Sequence, residues 1–239
     1  DIRTLKEFHG APVMRAKPFA AADDSDVWAK DLFSRGEVIA AAGKLGAAIV
    51  GEGINSLTFS RHVRVLMPAM DEAEWDCVNS VYSVIGEPEP MGRPVCTIKR
   101  GESLPGIIGG GLPVLPGEVT LASGGVLMVG DIAMMPSSTV SALKRVAEDG
   151  RVRIVRVNGS YEFPADCVFI ADANGAIPED MSEKVSRAYR SKAMSRAREI
   201  ADIVIESNGG VYTYDQARGM VETAWGILRE RPRPSKAVD

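Results

Sequence analysis

Two stretches of this chain carry residues whose types and spacing suit phosphate chemistry. The first is Gly51-Glu52-Gly53-Ile54-Asn55-Ser56-Leu57-Thr58. It follows a short apolar run, Ala47 to Val50, and precedes a segment with Phe59, Val63 and Leu66 at helical spacing. Strand, glycine-rich loop and helix is the context in which backbone N–H groups cradle an anion. The second stretch is Val126-Leu127-Met128-Val129, with glycine before and behind and Asp131 just after it. A continuous apolar run of this length suits a strand buried on both faces. An acid at its carboxyl end stands where open α/β sheets place their ligands. Asn174 follows a third apolar run, Cys167 to Ala171. By itself an Asn-Gly pair after a strand is a turn signal.

The elements that must position these groups follow a definite order. Met135-Pro136-Ser137-Ser138 reads as a turn and helix start. Val140, Leu143 and Val146 repeat at helical spacing until Asp149-Gly150. Val152, Ile154, Val155 and Val157 then lead into Asn158-Gly159, a hairpin signal, with Tyr161 and Phe163 on the return strand. Strand, helix, hairpin, strand resembles the second half of an AAA+ ATPase core. The match is to the magnesium-chelatase-like branch that includes the ComM competence proteins. There the segment reads "PGEISLAHNGVLFLDEL", then "LEDG", then "FPA", then "AAMNP". The counterparts here are Pro116 to Glu118, Gly125 to Ile132, Glu148 to Gly150, Phe163 to Ala165 and Ala171 to Asn174. The resemblance implies a three-layer αβα sandwich with a mostly parallel sheet, a hairpin before the sensor strand and a reduced C-terminal helical lid.

Against that family the chemistry has changed. The loop pattern GPPGSGKT falls on Gly51 to Thr58 without a gap, so the lysine position is Leu57 and the hydroxyl position is Thr58. Leucine brings no charge to the phosphates, and Glu52 and Ile54 crowd a loop that needs glycine. In VLFLDEL the aspartate holds magnesium through water and the glutamate orients the attacking water. Those positions are Gly130 and Asp131 here. The family's arginine finger falls on Ile200 and its neighbouring aspartate on Glu199. The resemblance therefore implies a vestigial nucleotide site at Gly51, Gly53, Ser56, Thr58, Asp131 and Asn174. It implies no catalytic residue and no metal site, and ATP with magnesium is expected to bind weakly if at all. The segment Arg93 to Gly111 matches the family's "RPFRAPHHTISDAALIGGG", with the paired histidines on Lys99 and Arg100. These two are the candidates for a nucleic-acid backbone contact. The plainer reading is two solvated charges on a loop.

Length and composition fit a single α/β core with a small helical appendage. The chain has 239 residues, 45% of them apolar, with a net charge of -4. That mild acidity argues against a nucleic-acid surface spread over the whole chain. Cys77, Cys96 and Cys167 lie far apart, which reads as reduced thiols rather than a disulfide frame. No apolar run approaches the ~20 residues that span a membrane. A cytoplasmic protein is expected.

In chain order, residues 1–26 read as an N-terminal segment and linker, and 27–207 as the core. Within it Val27 to Gly43 reads as a helix capped by Ser25 or Asp26, and a further helix is centred on Trp75, Val78 and Val81. Residues 182–207 admit two readings, one long helix or a helix followed by a strand at Ile203 to Ile205. Both remove the finger. Residues 208–230 read as a C-terminal helix with Ala217, Val221, Ala224, Trp225 and Leu228 on one face. Arg218 on it is a weak match to a second sensor. Residues 231–239 read as a disordered tail.

The reading that follows is a degenerate AAA+ module, non-hydrolysing and structural or regulatory. It is expected as a monomer or small oligomer beside a protein partner or an active paralogue. The alternative is a weakly active ATPase, a DNA-linked motor of the ComM type.

Overall fold

The computed structural model describes residues 32–50, 54–88, 90–157, 159–173, 182–206 and 212–230. Helix α1 (Arg35–Gly43) leads into β1 (Ala47–Ile49), α2 (Ser56–Leu66), α3 (Glu72–Ile85) and β2 (Val95–Ile98). Short pieces follow: α4 (Leu104–Ile108), β3 (Gly109–Gly110), β4 (Leu115–Pro116) and α5 (Glu118–Leu121). Then come β5 (Val126–Val129), α6 (Ser137–Asp149), β6 (Arg151–Arg156), β7 (Gly159–Pro164) and β8 (Val168–Asp172). The last described elements are α7 (Glu183–Ala197), β9 (Ile203–Ile205) and α8 (Tyr214–Glu230).

The central sheet has five strands in the order β2-β5-β8-β1-β9, and every pairing is parallel. Its short strands are apolar on both faces, as a sheet with helices on each side demands. Ala48, Leu127, Val129, Phe169 and Ala171 face one core, shared with Val140, Leu143 and Val146 of α6 and Ala193 and Ala197 of α7. Ala47, Ile49, Val126, Val168 and Ile170 face the other, shared with Phe59 and Val63 of α2 and Ala217 and Val221 of α8. This alternation makes the three-layer αβα sandwich. Among the described residues β6 and β7 pair only with each other, as the hairpin before the sensor strand. Gly125 has a steric reason at the start of β5: a Cβ there would collide with the Pro94 carbonyl oxygen.

Several boundaries differ from the sequence reading or settle it. In the described part of the predicted Val27–Gly43 helix, residues 32–34 are not helical and the helix begins at Arg35, while residues 27–31 lie outside the described residues. Ser34 and Glu37 form a capping box that starts it there. Phe33 before it is extended and fully buried, bridged to Tyr212 by N–H···O bonds of 2.9 and 3.0 Å. Ser25 and Asp26 lie outside the described residues. The open choice over 182–207 resolves as helix then strand. Asp202 ends the helical stretch: its carboxylate accepts the Gly46 N–H at 2.8 Å while its own N–H reaches the Gly46 carbonyl, and Ile203 then pairs with Ala47. The C-terminal helix buries Ala217 and Val221 as expected. The Leu228 side chain, the linker over 1–26 and the tail over 231–239 lie outside the described residues. Among the described residues no helix is long and apolar enough to cross a membrane.

Candidate functional site

The carboxyl edge of the parallel sheet gathers the candidate groups. α2 leaves that edge after β1, and Asp131 stands just beyond β5. Ser56 and Thr58 lie in the first turn of α2. Ser56 is buried, and Leu57 at the lysine position is about one-third exposed. Gly51, Gly53 and Asn174 fall outside the described residues. One feature of α2 has a local signal that motif matching does not catch. Asn55 is its N-cap, and its side-chain oxygen accepts the Thr58 N–H at 2.9 Å. An N–H that a bound phosphate would use is thus held by the chain's own amide.

At the end of β5, Gly130 donates its N–H to the Ile98 carbonyl at 2.9 Å and presents no side chain. A Cβ built there would meet only that carbonyl oxygen, at 3.4 Å. A Cβ fits there, but the position carries no acid. Asp131 adopts a left-handed backbone, φ 49° and ψ 52°, at the mouth of a 3₁₀ turn over Ile132–Met134. Both of its carboxylate oxygens are engaged. The Tyr189 hydroxyl of α7 donates to one, and Arg100 approaches the other at 3.5 Å. Burial, then the hydrogen bond to this carboxylate, pushes the Tyr189 hydroxyl up, so it remains a proton donor here. Lys99 and Arg100 do share a loop after β2, as the sequence suggested. Arg100 is turned toward Asp131 while still 64% exposed, and Lys99 belongs to a tight turn closed by Glu102.

The arginines near the finger position have other duties. Ile200 is buried in the core. Arg196 donates to the carbonyls of Ile132, Ala133 and Met135 and to the Ser137 hydroxyl at 3.0 Å. It clamps α7 to the turn that follows Asp131. Arg218 donates to the Val65 carbonyl at 3.0 Å and pairs with Glu222, which suits a packed helix. The clamp and the Tyr189–Asp131 contact act on the same joint. Tyr189→Phe is expected to lower stability by about 1.5–3 kcal/mol, the worth of a hydrogen bond to a charged group, and to confer no hydrolysis. Urea unfolding beside a phosphate-release assay checks this; a gain of turnover would return Asp131 to a chemical role.

The thiols offer no nucleophile: burial, chiefly, pushes Cys96 up to about 12 and Cys167 well above its ordinary value. Among the described residues no group of three or more His, Cys, Asp or Glu is placed to hold a metal ion.

The family model described as magnesium chelatase, subunit ChlI, matches residues 23–201, more than half of the chain. Competence protein ComM of Haemophilus influenzae is 28% identical over 157 residues, covering 64% of this chain and 31% of that protein. The uncharacterized protein YifB of Salmonella typhimurium is 26% identical over 164 residues, covering 66% of this chain and 32% of that one. The chain thus spans about a third of the length of these relatives. A chain from the complex between subunits BchI and BchD of magnesium chelatase, based on a single-particle cryo-EM reconstruction, superposes with a TM-score of 0.50 at 18% identity. The superposition covers 82% of this chain and 65% of that one, and it is a likeness of fold.

Proposed function

This chain belongs to the magnesium chelatase subunit ChlI family, and from that premise we propose that it is an AAA+ module that does not hydrolyse ATP and works as a scaffold or regulatory element. The observation that carries this reading is the end of β5. Gly130 has no carboxylate for a metal, and Asp131 has one oxygen held by the Tyr189 hydroxyl and the other facing Arg100 at 3.5 Å. Phosphoryl transfer is catalysed almost wholly by positioned charge. The lysine position is Leu57, the finger position is Ile200 in the core, and the α2 cap occupies an N–H. Each change removes a charge or a donor from the same constellation. Meanwhile the sheet and both cores are intact, so the fold is kept for something other than turnover.

Such a module acts through a protein partner, an active paralogue being the natural kind. Titration with a fluorescent ATP analogue, with and without magnesium, followed by a phosphate-release assay, tests the reading. No saturable binding up to about millimolar and no release above background is the expected result. Sizing of the same samples is expected to show a monomer or small oligomer that nucleotide does not change. Magnesium-dependent micromolar binding with turnover, or a nucleotide-driven hexamer, would favour the alternative of a working ATPase, a DNA-linked motor of the ComM type.

A further inference from the structure

Helix α7 and the two residues after it, 183–199, hold six of the chain's 28 lysines and arginines but two of its 32 acids. The rest of the chain is therefore more acidic than the overall net charge of -4. The inward face of α7 is occupied. Tyr189 reaches Asp131, Ala193 and Ala197 are buried in the core, and Arg196 clamps the turn after Asp131. The outward face differs. At 3.6 residues per turn, Lys184, Arg187, Arg190 and Arg198 fall within about 120° of arc, and all four are exposed. Arg187 pairs with Glu183 at 2.7 Å. Among the described residues, the side chains of Lys184, Arg190 and Arg198 have no hydrogen-bond or ion-pair partner. Helix stability does not call for this pattern. Lys184 in the first turn opposes the helix dipole, and Arg187 and Arg190 set like charges side by side on the surface.

Charge decides what this face suits. Beside the cations it exposes only the short side chains of Ala188, Ser191 and Ser195, so an anionic partner is what it complements. The form of the face favours carboxylates on a protein over a nucleic-acid backbone. α7 has 15 residues, a strip of about 22 Å. Duplex DNA carries one charge per ~1.7 Å of axis and would run past that strip onto the acidic remainder of the chain. A single strand would need aromatic rings on which to stack, and the one ring on α7, Tyr189, is turned to Asp131. Three of the four cations on the arc are arginines. Arginine forks match carboxylates bidentately and are enriched at protein interfaces, where lysine is depleted. A short acidic segment fits both the length and the charge.

We infer that the outward face of α7 is a docking site for an acidic segment of a protein partner, held by Lys184, Arg190 and Arg198. This rests on the scaffold reading, but its test is separate, because it needs no nucleotide. The probe is a fluorescein-labelled oligoglutamate, read by anisotropy with the full chain at low ionic strength. An oligothymidylate of equal charge is run beside it. The oligoglutamate is expected to bind saturably and more tightly than the oligothymidylate. Lys184→Gln, Arg190→Gln and Arg198→Gln together are expected to weaken it by about tenfold, as loss of three exposed ion pairs does. Arg35→Gln, Lys144→Gln and Arg145→Gln remove the same charge from exposed positions on α1 and α6, and are expected to leave binding nearly unchanged. Melting curves of both triple variants are expected to match the wild type. If the α7 variant melts lower, Arg190→Gln with Arg198→Gln reads the same face with the first turn left intact. No saturable oligoglutamate binding, or an equal loss in the two triple variants, would overturn the proposal. Tighter oligothymidylate binding that the α7 changes abolish would overturn it in favour of nucleic acid.

Discussion

Leu57→Lys together with Gly130→Asp is expected to give this chain magnesium-dependent ATP binding, tightened by about 100-fold, since each restored charge-assisted contact is worth ~1.5–3 kcal/mol. The fold permits both changes. Leu57 is one-third exposed in the first turn of α2, so a lysine there costs no burial. A Cβ at position 130 meets only the Ile98 carbonyl oxygen at 3.4 Å, an ordinary contact. The remaining competitor is internal. Asn55 holds the Thr58 N–H at 2.9 Å. Asn55→Gly removes that acceptor at a cost of only a few tenths of a kcal/mol, and adding it is expected to tighten binding further. Hydrolysis is expected to stay at background in both combinations, because the finger position is the buried Ile200 and Asp131 stays tied to Tyr189. The measurement is the same analogue titration, with phosphate release on the saturated sample. If the triple variant is folded and still binds nothing, restoring these side chains is not enough to make a phosphate site. If it turns over, a group outside the matched positions supplies the missing charge.

How much of this is readable from residue order varies with the range of the interaction. The sheet is legible because its strands are buried on both faces, which leaves continuous apolar runs such as Val126 to Val129 and Val168 to Ala171. α6 is legible from a 3.6-residue repeat closed by Gly150, whose φ of 64° glycine tolerates well. The hairpin is legible from Asn158-Gly159. Less legible is 182–207, because arginine and alanine favour helix while the break at Asp202 depends on Gly46, far away in sequence. The start of α1 differs from its sequence pattern for a similar reason: Phe33 is extended because Tyr212 pairs with it. At the site, the missing lysine and acid are plain from position alone. The engagement of Asp131 is not, since Tyr189 is 58 residues distant and nothing local marks it. The same holds for Arg93, which opens a matched motif and whose burial only the packed structure reveals.

Arg93→Ala is expected to be the most destabilising single change outside the apolar core, by about 3–5 kcal/mol, the range for stripping one partner from a buried pair. Arg93 is 5% exposed. Its guanidinium donates to the Pro68 carbonyl at 2.7 Å, the Gly124 carbonyl at 2.5 Å and Glu74 at 2.8 Å. Lys44 meets the same carboxylate at 2.9 Å, and Trp225 of α8 lies over both cations, at 5.0 and 5.9 Å. One arginine thus joins the α2–α3 loop, the entry to β5, α3 and the C-terminal helix. Alanine would leave two carbonyls and half of a carboxylate without their donor. The loss has a pH signature. Burial alone would raise the Glu74 carboxyl, but hydrogen bonds from Lys44 and Arg93, and their charges, outweigh it and hold it at about 2 against an ordinary 4.5. A folded-state value below the unfolded one stabilises above the unfolded value, and that contribution fades as pH falls from about 4.5 toward about 2. The side chain is one-quarter exposed, so the contribution is of order 2–3 kcal/mol at neutral pH. Urea unfolding of the wild type, Arg93→Ala and Glu74→Gln, from neutral pH to about pH 3, measures both effects. The wild type is expected to lose stability through that acid window, Glu74→Gln to lose less of it, and Arg93→Ala to start low and fall less steeply. An Arg93→Ala chain with wild-type stability at neutral pH would mean that water replaces the guanidinium, and that α8 is held by its apolar face alone.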